Sequence, residues 1–96
     1  MKPSTVIKGK RELILEIAAR HGASNVRVFG SVARGEDTSR SDLDLLVDME
    51  EERPLSDLGE FSADVEEFLR CRVQVVTADT LNRRIRDRIL TEAVPL

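Results

Sequence analysis

The sequence predicts an α/β (α+β) domain with a small mixed three-stranded sheet flanked by helices, in the order α-β-α-β-α-β-α. Three observations predict it. Short runs rich in Val and Leu occur at 24–29, 42–47 and 71–77, with the alternation and length of strands. Stretches with helical apolar spacing flank and separate them. The link between the first two runs has room only for a short helix and permits an antiparallel pair, whereas the link to the third suits a parallel crossover.

Thr5 to His21 reads as the first helix, with Leu13, Ile14, Ile17 and Ala18 as one apolar stripe. Glu12, Glu16 and Arg20 follow at i+4 spacing on the polar side, and Gly22 stands where a C-cap is expected. Ser24–Phe29 alternates, Val26 and Val28 sharing a face. Gly30 breaks that strand, Ser31 is a good N-cap, and Arg34-Gly35 ends a helix of one or two turns. Glu36–Ser41 is a polar loop. Asp42–Val47 is the second strand, with Leu43, Leu45 and Val47 facing the core, and the acidic run Asp48–Glu52 leaves it. Pro54 and Ser56 open a second long helix, its stripe Leu58, Phe61, Val65, Phe68 and Leu69. Cys71–Thr77 is the third strand. Thr77 or Asp79 caps a final helical region, where Ile85, Ile89, Leu90 and Ala93 form a stripe amid Arg83, Arg84, Arg86 and Arg88. Pro95 is its stop.

Ninety-six residues allow one domain, 1–96. With 41% hydrophobic and 34% charged residues the chain is no disordered tail. It contains no apolar run near the roughly 18 residues of a membrane span, and its first residues lack the apolar segment of a signal peptide. Cys71 is the single cysteine, which fits a reducing cytoplasm. The formal charge of -3, with only Phe29, Phe61 and Phe68 as aromatics, argues against nucleic acid as a direct partner. All basic residues but Lys2, Lys8 and Lys10 are arginine, the cation whose fork pairs with phosphates and carboxylates.

The chemistry concentrates in one stretch. Asp42 and Asp44 lie two apart on a strand, so both carboxylates share a face about 6–7 Å apart. Their mutual repulsion costs stability unless a cation joins them; hard oxygen ligands suit Mg²⁺ or Mn²⁺. Gly30-Ser31 opens a short helix, where glycine allows close approach to backbone N–H groups and the helix end favours an anion. Each piece alone is commonplace. Together they read G-S, ten residues, D-x-D, in the order strand, short helix, strand.

Residues 28–48, VFGSVARGEDTSRSDLDLLVD, closely resemble the core of the minimal nucleotidyltransferases of the DNA polymerase β superfamily. The order of elements matches as well, so the resemblance covers nearly the whole chain and implies the nucleotidyltransferase fold. It further implies transfer of AMP from ATP to an acceptor hydroxyl with two divalent ions. Gly30 and Ser31 would then hold the triphosphate, with Arg34 and Ser41 as further phosphate contacts. Asp42 and Asp44 would hold the metals. Larger members carry an acceptor domain; this length leaves none, so the acceptor is expected on another chain. Small members often accompany a HEPN-type partner protein as the antitoxin of a toxin–antitoxin pair.

The chain departs from the pattern at Gln74, where the family commonly has a third carboxylate. A glutamine can coordinate a cation through its carbonyl but cannot serve as a base. Three readings follow: an active but slower enzyme, a nucleotide-binding module that neutralises its partner by complex formation, or a role taken by Asp48, Asp64 or Asp79. Asp48 shares the face of Asp44 but lies about 13 Å along the strand. A subunit of a small-molecule transferase of the aminoglycoside-modifying type, and a homo-oligomer, stay open. The remaining candidates have plain structural readings: His21 at a helix end, Cys71 as a packed thiol, and the Arg83–Arg88 cluster as a solvated face or docking surface.

Overall fold

The computed structural model describes residues 1–96. The expected first helix is two: α1 (Pro3–Val6) and α2 (Arg11–Arg20). Gly9, at φ +74°, takes the left-handed backbone that breaks the run between them. β1 (Ala23–Phe29), α3 (Gly30–Arg34) and β2 (Leu43–Met49) follow. The crossover is α4 (Leu55–Leu69), ended by Arg70 in the left-handed region at φ +59°. That turn uses up Cys71 and Arg72, so β3 is only Val73–Val76. A 3-10 turn at Ala78–Thr80 precedes α5 (Arg83–Glu92). Neither Thr77 nor Asp79 caps α5; Asn82 does, its side-chain oxygen accepting from the Ile85 N–H at 3.1 Å.

The sheet order is β3-β2-β1-β4. β1 and β2 are antiparallel, and β2 and β3 parallel, as their connections imply. The fourth strand was not expected. Pro95 does not merely stop the chain: β4 (Val94–Pro95) pairs antiparallel with β1, with Val28 opposite Val94 and Arg27 opposite Pro95. An edge is where proline, lacking an N–H, is tolerated. β1 also bulges between Ser24 and Arg27, with Asn25 at φ +50°.

The two faces of β2 do different work. Leu43, Leu45 and Val47 point into the main core, with Ile14, Ile17 and Ala18 from α2 and Phe61, Val65 and Leu69 from α4. Leu13 of the expected stripe stays largely in solvent. On the opposite face Leu46 meets Phe29 and Ile89 in a second, small cluster, and this is the face that carries Asp42 and Asp44. Of the stripe expected on α5, Ile89 alone is buried, while Ile85 and Leu90 are exposed. At the far side of the sheet, β3 has its outer edge met by α4: the Val73 N–H donates to Glu66 Oε1 at 2.9 Å, and Ser62 Oγ donates to the Val73 carbonyl at 3.0 Å. Asp37 ties down α1 by accepting from the Ser4 N–H at 2.8 Å, one of the donors a helix start leaves free.

Candidate functional site

The register of β1 against β2 places Phe29 opposite Asp44. The chain then turns at Gly30, φ +75°, so that α3 starts directly over Asp44. The approach is close: a Cβ on Gly30 would lie 2.2 Å from Asp44 Oδ2 and 3.1 Å from its Cγ. Only glycine fits, both for conformation and for space. Gly30 is itself the first helical residue, with Phe29 in the N-cap position. Ser31 is therefore not the N-cap expected from sequence; it lies within α3, and its carbonyl accepts from the Glu36 N–H at 2.8 Å.

Asp42 stands just before β2 and Asp44 within it, so the period-two geometry brings both to one face. Burial, then the charges of Asp42 and Glu92, push the Asp44 carboxyl up to about 6, with Arg34 acting the other way. Asp42 Oδ1 is buried and has no hydrogen-bond partner. Arg72 Nε lies 3.1 Å from it, but its N–H is not aimed at the oxygen. A buried carboxylate oxygen without a donor, beside a second carboxylate that resists ionising, is a donor set suited to a hard divalent cation.

Arg34 closes the other side. Its Nε donates to Glu36 Oε1 at 2.7 Å and its Nη1 to Glu92 Oε1 at 2.6 Å. These bonds, Glu36 first, hold the guanidinium protonated beyond its ordinary range. Glu92 Oε2 accepts from the Gly30 N–H at 2.8 Å. Ser41 is drawn into its own loop, with Oγ accepting from the Thr38 N–H at 2.8 Å. Gln74 pairs with Asp44 across the parallel ladder, the neighbouring position in the sheet, and is exposed.

The other candidates for a third carboxylate are engaged or remote. Asp48 pairs with Ser24 at the other end of β2 and binds Arg27 at 2.8 Å and Asn25 at 3.0 Å. Asp64 binds His21 Nε2 at 2.6 Å, which gives His21 a hydrogen-bonding role against α4. Asp79 sits in the exposed 3-10 turn. Burial raises the Cys71 thiol above its ordinary range, as for a packed, unreactive cysteine. Glu92 is the residue that sequence reasoning missed. It is 62 positions from Gly30, and no local pattern announces such a contact.

Residues 10–96 match the nucleotidyltransferase domain family. A candidate protein adenylyltransferase of Methanocaldococcus jannaschii is 40% identical over 81 residues, 84% of this chain and 87% of that protein. Protein adenylyltransferase MntA of Thermococcus cleftensis is 38% identical over 79 residues, 82% of this chain and 80% of that protein. A solved structure of a candidate minimal nucleotidyltransferase superposes with a TM-score of 0.86 at 47% identity, over 97% of this chain and 95% of that one. The crystal structure of a toxin–antitoxin with AMP-PNP shares the fold, with a TM-score of 0.76 at 16% identity over 88% of this chain and 70% of that chain.

Proposed function

This chain belongs to the nucleotidyltransferase domain family, and from that premise we propose that it transfers AMP from ATP to a hydroxyl of a partner protein, as the antitoxin of a toxin–antitoxin pair. The observation that carries the reading is the meeting of Asp42, Asp44 and Gly30 on one face of the sheet, with Asp42 Oδ1 buried and without a hydrogen bond. Two relatives over 35% identical named for protein adenylylation support the choice of substrate and acceptor, and the toxin–antitoxin fold neighbour supports a toxin partner. The partner we favour is of the HEPN type.

Asp42 and Asp44 would hold Mg²⁺, two ions in the full site, with Mn²⁺ as a substitute. When bound, such ions supply charge stabilisation to the attacking and leaving oxygens of an in-line displacement at phosphorus. The chain's own groups position. The Gly30 N–H and the Arg34 guanidinium, both bound to Glu92 in this structure, are donors suited to the phosphate oxygens of the nucleotide. Ser31 and Ser41 are further phosphate contacts, Ser41 only if it leaves its bond with the Thr38 N–H. Gln74 cannot take the acceptor's proton, so that proton passes to water or to a carboxylate. The absence of a charge at Gln74 also favours a second reading, a module that binds nucleotide and neutralises its partner without turnover.

The deciding experiment incubates the protein with the product of the gene adjacent to its own, α-labelled ATP and Mg²⁺. Label on the partner, abolished by Asp42→Ala with Asp44→Ala and increased by Gln74→Asp, is expected. A stable complex without label favours the binding module.

A further inference from the structure

We propose that Glu92 is a built-in competitor for the nucleotide's phosphates, occupying the Gly30 N–H and the Arg34 guanidinium in the free protein so that a triphosphate binds only by displacing it. The proposal rests on the reading of the site above and adds a residue that governs its affinity. Ile89, buried against Phe29 and Leu46, fixes α5 on the site face of the sheet. Glu92 follows three residues later on the same side of that helix. Its two oxygens span the two donors, Oε2 to the Gly30 nitrogen at 2.8 Å and Oε1 to Arg34 Nη1 at 2.6 Å. A carboxylate bridging a backbone N–H and a guanidinium takes the same hydrogen-bond geometry as two oxygens of one phosphate. The Glu92 side chain is 19% exposed, and none of the four surface hollows of the fold includes Gly30, Asp42 or Asp44. The Glu92 carboxylate caps the Gly30 N–H in this structure. Arg34, first, and the Gly30 N–H hold the Glu92 carboxyl below the ordinary carboxylate range, so it is an anion wherever nucleotide would compete.

The electrostatic consequence is selective. With Glu92 in place, four carboxylates (Asp42, Asp44, Glu92 and Glu36) face two guanidiniums (Arg34 and Arg72), and a nucleotide arriving without a cation meets net repulsion. Removing Glu92 therefore helps bare nucleotide more than nucleotide with Mg²⁺.

The test compares wild type with Glu92→Gln and Glu92→Ala, the first isosteric so that folding is preserved. Binding of a non-hydrolysable ATP analogue is measured by titration calorimetry with and without Mg²⁺, and the Gly30 amide is followed by ¹⁵N-resolved NMR. If Glu92 leaves the donors free about a tenth of the time, its loss tightens binding about tenfold, with a larger factor when Mg²⁺ is absent. The Gly30 resonance is expected to move on substitution. An unmoved resonance overturns the proposal whatever the nucleotide does. A moved resonance with equal or weaker nucleotide binding in both variants overturns the competition and leaves the site reading standing. A moved resonance with no nucleotide bound by any of the three proteins overturns both.

Discussion

Gly30→Ala and Gly35→Ala form a matched pair that isolates what the site demands of one glycine. Their backbones are nearly the same, φ +75° and +72°. Each alanine costs about 1–2 kcal/mol for entering the left-handed region. For a domain of this size that lowers Tm by about 4–16 °C. The surroundings differ completely. A Cβ at Gly35 meets nothing within 4 Å, whereas at Gly30 it meets Asp44 Oδ2 at 2.2 Å and Cγ at 3.1 Å. To reach ordinary contact Asp44 Oδ2 must move by about an ångström and its Cγ by a few tenths, which turns the carboxylate off its position at a further cost of about 1 kcal/mol. Displacing a group that positions the reaction by an ångström costs about 100-fold in rate. Thermal melting by circular dichroism and AMP transfer to the partner are the assays. Gly35→Ala is expected to melt lower yet keep most of its activity, and Gly30→Ala to melt lower still and lose about 99% of it. Equal activities in the two variants would refute the claim that the Gly30–Asp44 approach builds the site.

Three further outcomes follow from the packing and the charges. Phe61 is fully buried at the centre of the core, so Phe61→Ala should cost about 3–5 kcal/mol, a large part of a small domain's stability; a urea midpoint shift equivalent to under about 1 kcal/mol would contradict the core assignment. The Ser4 N–H, first, holds the Asp37 carboxyl below its ordinary value of 3.8. A depressed folded-state value contributes stability above the ordinary one and loses it as pH falls through the lower one. The melting advantage of wild type over Asp37→Asn should therefore be full near neutral pH and vanish in strong acid; an advantage that grows on acidification would reverse the assignment. Asp48 is committed to Arg27 and Asn25 at the far end of β2, so Asp48→Asn should leave AMP transfer within about twofold while costing at most about 1 kcal/mol. A large activity loss without unfolding would return Asp48 to the site.

The candidate site was legible in the sequence where its geometry is local. Fifteen consecutive residues, Gly30 to Asp44, hold the turn, the short helix, the loop and the paired acids, and strand parity alone puts the acids on one face. What stayed illegible depends on long-range contacts. Val94-Pro95 becomes a strand only because β1 offers an open edge, and two residues carry no alternation to read. The break at Gly9 falls in the polar run Lys8 to Glu12, ahead of the apolar stripe, where no periodicity marks a helix end. Asn82 displaced Thr77 and Asp79 as cap because the 3-10 turn, stabilised by Thr80 Oγ1 donating to the Thr77 carbonyl at 2.9 Å, delays the helix. Ser31 lost its cap role because the helix begins one residue earlier, at Gly30, with Phe29 in the cap position. Glu92 reaches the site through the packing of α5, which no spacing rule encodes.

The contacts of α4 with β3 have a consequence for solution behaviour. Val73–Val76 is an outer strand, parallel, β-branched, and free of proline and lysine. Such an edge is a template on which another copy can add a strand. Ser62 and Glu66 blunt it by taking the outward carbonyl and N–H of Val73. Those two side chains therefore guard the chain against edge-to-edge association, and their loss would show first as self-aggregation at high concentration rather than as a lower melting point.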